Sequence, residues 1–176
     1  ESYTDFDLAF SPWTLVDVDQ SSTYAFTNAS WLHSGDAQAF IIFNQASTTP
    51  PTSGADAHSG AKSSVCFAST SPPNNDWMMS PRMELGSESR LSFWAKSHTD
   101  AYGLERFKVG ISTSGTNPSD FSIISAGTFV ETPTNWTQFI YDLSAYDGEQ
   151  IFIGIQCLSH DAFVFYVDDF VVHSYG

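Results

Sequence analysis

The hydrophobic residues of this chain fall at every second position within short segments, which is the pattern of β-strands that bury one face. In the stretch LSFWAKS, for example, Leu91, Phe93 and Ala95 alternate with the other residues. Clusters of Gly, Pro, Asn, Asp and Ser separate the segments and indicate turns. The pattern predicts about eight to ten strands, and the clearest are Trp13–Val18, Ala39–Phe43, Ser64–Ala68, Arg90–Ser97, Phe107–Ser112, Thr137–Leu143, Gln150–Cys157 and Phe163–His173.

Three segments depart from this alternation. The last predicted strand contains FVFYVDDFVV, which is apolar on both faces except at Asp168 and Asp169, as expected for a strand covered from both sides. Within Gly115–Ile124, Pro-Ser-Asp follows the N-cap candidate Asn117, which predicts a turn of helix. The segment Asn44–Gly60, with two adjacent prolines, is a loop by composition.

These features predict an all-β protein with the architecture of an antiparallel jelly-roll β-sandwich. A length of 176 residues suits one domain, residues 1–176, with a sizeable core. The hydrophobic content of 41% and the aromatic content of 15% exclude a disordered chain. No internal repeat and no shift in composition indicates a second domain.

The charge of the chain limits its partners. Twenty Asp and Glu residues against six Lys and Arg give a net charge of −14, which repels phosphate groups, so we expect no binding to nucleic acid or anionic membranes. No apolar run reaches the ~18–20 residues of a membrane helix, so we also expect no membrane insertion. The chain starts at Glu1 without a signal peptide, and its low Lys content and many Ser, Thr and Asn residues favour an extracellular or cell-surface piece of a larger, multidomain protein.

The two cysteines, Cys66 and Cys157, lie in apolar, strand-like contexts. No Cys/His spacing typical of a zinc site is present. We therefore expect buried, unpaired thiols, with a disulfide between distant strands as the alternative in an oxidising compartment.

The sequence contains none of the common catalytic motifs. It has no nucleophile elbow, no HExxH, no phosphate-binding loop and no GxGxxG, and its five histidines are scattered. Carboxylate pairs carry little weight in so acidic a chain. A jelly-roll polysaccharide lyase needs a cluster of Tyr, His, Arg and Lys on one strand face, and six dispersed basic residues do not favour it. We predict that the chain is not an enzyme.

Several aspartates form a candidate metal site. Asp17 and Asp19 follow a short apolar segment, whereas Asp168 and Asp169 interrupt the most apolar strand. A carboxylate in such a strand needs a cation or a raised pKa, and Lys and Arg are scarce. Calcium, which takes 6–8 oxygen ligands, is the favoured partner. A pair of solvated aspartates at a strand edge is the alternative.

The chain also resembles a known family. The segments that carry the resemblance are ESYTDFD, SPWTLVDVD, HSGAKSS, NNDWMMSPRMEL, LSFWAKS, FKVGISTSGTNPSDF, NWTQFIYDLS and FYVDDFVV. In this order they resemble the cleaved-adhesin domains of gingipains and haemagglutinins, and equally the choice-of-anchor J domains of secreted bacterial proteins. A more distant similarity extends to MAM domains and to jelly-roll carbohydrate-binding modules.

This resemblance implies a jelly-roll sandwich with structural calcium and no catalytic residues. It places Asp7 at an acidic position of the family, Asp17 and Asp19 in the acidic loop after the tryptophan, and Asp168 and Asp169 at the acidic pair of the closing strand. We therefore expect one calcium ion to tie the N-terminal segment to the closing strand through Asp168 or Asp169, Asp7, Asp17 and backbone carbonyls. The loop after the tryptophan reads DVDQSSTYAF, without the Gly- and Asp-rich run often found in the family.

The segment NNDWMMSPRMEL lies where these domains carry the start of a core strand. Because Pro81 tolerates only an edge or a strand start, we expect Trp77, Met79 and Met83 to be packing residues. Trp31, Tyr102 and Trp136 lie in or beside loops and are the aromatic residues most suited to contact a ligand.

The leading functional hypothesis is a non-catalytic, secreted adhesion or binding module, stabilised by calcium, that contacts a host or matrix protein or a glycan. The alternative is a carbohydrate-binding module accessory to a glycan-degrading enzyme. That alternative requires aromatic rings that stack on sugar faces, with carboxylates or amides that bind the hydroxyl groups.

Overall fold

Two antiparallel β-sheets lie face to face in the computed structural model, which describes all residues, Glu1–Gly176. The strands are β1 Thr14–Asp17, β2 Ile41–Phe43, β3 Ser63–Phe67, β4 Asp76–Met79, β5 Met83–Glu84, β6 Ser87–Ser97, β7 Arg106–Ser112, β8 Ser122–Ile123, β9 Val130–Glu131, β10 Thr137–Asp142, β11 Gln150–Cys157 and β12 Val164–Tyr175. Single turns of 3-10 helix occur at Gln45–Ser47, Pro118–Asp120 and Ser144–Tyr146. None of them has the length or apolar character needed to cross a bilayer.

The strand order defines a seven-stranded and a five-stranded sheet. The first has the order β1-β4-β11-β7-β8, with β5 beside β11 and β9 beside β7, and the second has the order β10-β6-β12-β3-β2. All pairs of neighbouring strands are antiparallel. The predicted all-β jelly-roll sandwich is confirmed, and all eight strands predicted from alternation are present with small shifts at their ends.

The core between the sheets is built from the alternating positions. In β6, Leu91, Phe93 and Ala95 are fully buried, and in β11 the inward residues are Ile151, Ile153 and Ile155. Directly paired residues point to the same side of a sheet, so the register of β1, β4, β11 and β7 sorts their side chains into inward and outward rows. One inward row contains Leu15, Met78, Ile155 and Val109.

The five-stranded sheet is covered on its outer face as well. A second buried cluster lies there, formed by Phe6, Ile41, Phe43, Ala55, Val65, Phe67, Val164 and Tyr166. The N-terminal segment contributes Phe6, whose N–H donates to the carbonyl of Ile42, and the loop after β2 contributes Ala55. The prediction that both faces of FVFYVDDFVV are covered is thereby confirmed for residues 164–167, whereas Val171 is 40% exposed.

The outer face of the seven-stranded sheet carries Trp77, which is buried as predicted. Met79, on the same face of β4, is also buried, and Met83 packs partly buried against the core. The segment after β7 covers Trp77 with Phe121, whose ring centroid lies 5.1 Å from that of Trp77. The predicted helical turn in this segment is the 3-10 turn Pro118–Asp120, and the chain continues as the short strand β8.

Replacing Gly154 by alanine is expected to destabilise the protein. A Cβ atom at Gly154 would lie 2.9 Å from the ring atoms of both Trp77 and Phe121, so the two rings must move apart. Such overpacking costs about 1–3 kcal/mol, or roughly 2–10 °C in melting temperature for a chain of this size. Gly176→Ala is the control, because no atom lies within 4 Å of its Cβ. Equal melting temperatures for the two variants would contradict the prediction.

The two cysteines lie on the inner faces of opposite sheets. Cys66 belongs to β3 and Cys157 to β11, and both are free and 1% exposed within the main core. We expect negligible reaction with a thiol reagent in the folded protein and complete reaction after unfolding. Rapid labelling under native conditions would contradict the burial, and a mass lower by two hydrogen atoms would reveal a disulfide.

Candidate metal centre

Three aspartates meet at one end of the seven-stranded sheet. Asp17, the last residue of β1, pairs with Asp76, the first residue of β4, and Asp76 pairs with Cys157 on β11. Cys157 in turn pairs with the core residue Phe107, so this row points into the sandwich. Asp19 follows two residues after Asp17, where the chain leaves β1. One carboxylate oxygen from each of Asp17, Asp19 and Asp76 lies within 4.8 Å of the other two.

Local hydrogen bonds fix the two half-buried members of this group. The Asp17 carboxylate accepts from the N–H of Gln20 at 2.8 Å, which closes a tight turn after β1. The Asp19 carboxylate accepts from Ser21 N–H at 3.0 Å and from Asn75 N–H at 2.7 Å. Asp19 thereby joins the turn after β1 to the residue before β4, which holds it beside Asp76.

Asp76 is the buried member, with 1% of its surface exposed. Its Oδ2 accepts from the amide of Asn74 at 2.8 Å and from the thiol of Cys66 at 3.4 Å. Its Oδ1 is buried and has no hydrogen-bond partner. Burial raises the pKa of Asp76 to about 10, with further contributions from Cys157 and from the negative charges of Asp19 and Asp17.

The group has the properties of a site for a hard divalent cation. None of the three ion pairs in the structure involves these aspartates, so no basic side chain neutralises them. Three carboxylates at this separation repel one another unless one is protonated or a cation lies between them. Calcium and magnesium both bind carboxylate oxygens, and calcium tolerates the more irregular geometry. The unpartnered Oδ1 of Asp76 and the free lone pairs of Asp17 and Asp19 fit calcium.

Asp168 and Asp169 lie elsewhere, at an irregularity in β12. The register with β6 shifts between Asp168 and Val171, and Asp169 has a left-handed backbone with φ of 50°. The Asp168 carboxylate accepts from the N–H groups of His58 and Ser59 at 2.9 and 3.1 Å. Asp169 accepts from the Ser59 hydroxyl and contacts Nδ1 of His58 at 2.6 Å. The pair therefore attaches the end of the Asn44–Gly60 loop to the closing strand.

The electrostatics of this pair agree with a structural role. Partial burial raises the pKa of Asp168, although its backbone hydrogen bonds act in the opposite direction. Partial burial also acts to raise the pKa of Asp169, but the hydrogen bonds from His58 and Ser59 lower it overall. Protein donors thus occupy much of the acceptor capacity of both carboxylates.

Asp7 also lies outside the three-carboxylate group. Its Oδ1 accepts from Ala9 N–H at 2.9 Å, and its backbone carbonyl accepts from Ile42 N–H at 3.1 Å. The structure therefore brings together two of the five aspartates predicted as ligands, Asp17 and Asp19, and adds Asp76. A single arrangement of all five around one ion is not present, because the bulge in β12 directs Asp168 and Asp169 towards the loop at His58 and Ser59.

The three aromatic residues predicted to contact a ligand have different environments. Trp31 is half-buried against the second cluster, with its ring centroid 5.5 Å from that of Phe67. Trp136 is half-buried, with Lys96 Nζ 5.6 Å from its ring centroid. Tyr102 is 67% exposed, as expected for a ligand-contacting residue. Trp31 is half-buried because the segment before β2 folds over the outer face of the sheet.

Sequence reasoning missed Asp76 as a member of the candidate metal centre. The residue lies in NNDWMM, a segment whose tryptophan and methionines indicate packing residues. The available signal was an acid at the first position of a strand whose third residue, Met78, is buried in the core. The alternation of that strand places Asp76 and Met78 on the same inward face.

The chain is therefore a two-sheet jelly-roll sandwich with a group of three acids at one end of the seven-stranded sheet. The chain belongs to the Cleaved Adhesin Domain family, whose model matches residues 11–172. The family resemblance predicted from the sequence is therefore confirmed.

Known proteins similar to this chain include Hemagglutinin A of Porphyromonas gingivalis strain W83. The two are 25% identical over 186 residues, which cover 93% of this chain but 8% of the haemagglutinin. The chain thus spans a small part of the length of the curated relatives it matches, which are much larger proteins.

Solved structures with the same fold include the K1 cleaved adhesin domain of Lys-gingipain from Porphyromonas gingivalis W83. It superimposes with a TM-score of 0.65 at 17% identity, covering 93% of this chain and 91% of that domain. The carbohydrate-binding module TmCBM61, solved in complex with β-1,4-galactotriose, has a TM-score of 0.59 at 16% identity, covering 94% and 90% of the two chains. At these identities the similarity shows the fold alone.

Proposed function

We propose that this chain is a non-catalytic adhesion domain of a larger secreted or cell-surface protein, stabilised by one structural calcium ion. The observation that carries the adhesion role is membership of the Cleaved Adhesin Domain family over residues 11–172. The small fraction of Hemagglutinin A covered by the match supports a place within a multidomain protein. The partner is a host or matrix protein or a glycan.

The calcium ion would be held by Asp17, Asp19 and Asp76. Its role is structural, because it would neutralise three carboxylates that lie within 4.8 Å of one another and would join β1, the following turn and β4. An ion that binds the folded state alone stabilises it by mass action, by about 2.7 kcal/mol at one hundred times the dissociation constant. The remaining coordination positions belong to backbone carbonyls or water.

Isothermal titration of the metal-free chain with calcium chloride tests this assignment. We expect one saturable site per chain, weaker binding of magnesium, and loss of the site in Asp19→Asn. Asp36→Asn is the matched control, because Asp36 is an exposed acid in the following loop. The metal assignment would be wrong if the titration releases no heat and elemental analysis finds no bound calcium. It would also be wrong if both variants bind calcium equally.

The adhesion role requires a separate measurement. In calcium-containing buffer the chain is expected to bind saturably to at least one immobilised matrix protein or cell-surface glycan. The chain should show no turnover of polysaccharide or peptide substrates. Failure to bind any surface in the folded, calcium-loaded state would contradict adhesion as the role of this domain.

Carbohydrate binding is the second candidate function. The similarity in fold to TmCBM61, which was solved with a galactotriose ligand, is the observation that supports it. Exposed tyrosines on the loops of this chain provide rings of the kind that stack on sugars. A glycan array that shows saturable binding distinguishes this candidate from protein adhesion.

A further inference from the structure

We propose that a cavity at the loop end of the sandwich binds a neutral oligosaccharide. The cavity is formed by residues 24–28, Tyr102 and residues 161–163. The cavity has a volume of about 590 Å³, within the usual range of ligand sites. It does not include the aspartates of the candidate metal centre. The proposal rests on the carbohydrate-binding alternative, to which it gives a site and a ligand class.

Aromatic rings from three loops form the apolar surfaces of this cavity. Phe26 and Phe163 meet edge to face, with centroids 5.4 Å apart. Tyr102 meets Phe163 in the same way at 6.5 Å. Tyr24 and Tyr102 are 47% and 67% exposed, so their rings are accessible to a ligand. Exposed tyrosine rings provide apolar faces for the C–H groups of a sugar and hydroxyl groups for its polar edge.

The polar groups of the cavity favour a neutral ligand. Among its nine lining residues the single charged side chain is Asp161, with Asn28 and Thr27 as further polar groups. A carboxylate and an amide together accept from and donate to sugar hydroxyls. No Lys or Arg lines the cavity, and the chain carries a net charge of −14, so a uronic acid or sialic acid is disfavoured.

Buried interactions hold the cavity in shape before a ligand binds. The N–H of Phe163 donates to the carboxylate of Glu105 at 2.6 Å, and Glu105 is fully buried. Tyr24 N–H donates to the carbonyl of Ala68 at 2.9 Å. Phe26 packs against Trp31, with centroids 5.9 Å apart. Trp31 thus supports the cavity from the second cluster, and a site fixed in this way loses less entropy on binding.

The test uses the intact chain in calcium-containing buffer. Titrations are performed with neutral oligosaccharides, beginning with β-1,4-galactotriose, with uronic-acid oligosaccharides and with a Lys/Arg-rich peptide. We expect saturable binding of a neutral oligosaccharide and about tenfold weaker binding in both Tyr24→Ala and Tyr102→Ala. Tyr175→Ala is the matched control, because Tyr175 is 61% exposed and lies outside the cavity. Thermal melting verifies that each variant is folded.

Three results would overturn the proposal: no binding of any neutral oligosaccharide, equal loss of binding in the Tyr175 control, or binding of only the acidic oligosaccharide or the basic peptide. Each is distinguishable from failure of the calcium-stabilised adhesion role, which is measured by calcium titration and by surface binding. Absence of sugar binding by the unmodified chain, with an intact calcium response, removes the cavity proposal and leaves the structural role of the metal in place.

Discussion

Asp76→Asn is expected to abolish the stabilisation of this protein by calcium and to raise the stability of the calcium-free form. The carboxylate of Asp76 is buried among Asp17, Asp19 and the two thiols, and its Oδ1 has no partner. An amide has nearly the same shape and can donate to the neighbouring carboxylates. It therefore avoids the cost of burying an ionisable carboxyl group beside two other acids, but it cannot replace a charged ligand of calcium.

The calcium-free protein should become less stable as the pH rises. The pKa of Asp76 is raised from 3.8 to about 10 in the folded state, so folding favours the protonated form. This contribution is fully present below about pH 4 and is lost as the pH rises towards 10. At pH 8, Asp76→Asn should therefore raise the free energy of unfolding of the calcium-free protein by on the order of 2–5 kcal/mol.

Calcium should reverse this pH dependence in the unmodified chain. A bound cation favours the ionised carboxylate, so stability at pH 8 increases with calcium, by roughly 5–10 °C in melting temperature at one hundred times the dissociation constant. The measurement is thermal melting with calcium or with chelator at pH 5 and pH 8. Asp168→Asn is the control, because Asp168 accepts from His58 and Ser59 and lies outside the three-carboxylate group.

Asp168→Asn is expected to preserve the difference in melting temperature between the two buffers. If the calcium response survives in Asp76→Asn, or disappears in Asp168→Asn, the metal binds at the closing strand instead. A calcium-free Asp76→Asn protein that melts below the unmodified chain at pH 8 would contradict the electrostatic account of Asp76.

Glu105→Gln is expected to stabilise the protein at pH 8 and to leave it nearly unchanged at pH 5. Glu105 is fully buried, its Oε1 has no hydrogen-bond partner, and burial raises its pKa to about 7. The native glutamate is thus protonated in the folded state at pH 5 and ionised at pH 8, where its burial is unfavourable. Glutamine retains an acceptor for Phe163 N–H.

The pH window follows from the two pKa values of Glu105. Its contribution to stability is complete below about pH 4.5, the ordinary pKa, and is lost as the pH rises through about 7. Removing the charge should therefore add about 1–3 kcal/mol at pH 8. Urea unfolding at both pH values measures this, with Asp100→Asn as the control at an exposed position. Destabilisation of Glu105→Gln at pH 8 by as much as at pH 5 would refute the prediction.

The sequence determined the strands in which apolar and polar residues alternate. Ile151, Ile153 and Ile155 occupy every second position of β11, and all three are fully buried. A period of two requires that one face be buried whatever lies opposite, so the element and its inward face follow from local order alone. The two-sided apolar pattern of β12 likewise required a covering layer on each face of its sheet.

The tertiary structure decided which acids meet. Asp17 and Asp76 are far apart in the chain and become neighbours because β1 and β4 pair in one particular register. Asp168 and Asp169 leave the core through a bulge with a left-handed residue, and they bind donors at His58 and Ser59. Strand pairing and loop attachment depend on contacts between distant residues, which local patterns of polarity do not specify. The sequence determined that these carboxylates need a cation or hydrogen-bond donors. The fold alone decided which groups lie close enough to provide them.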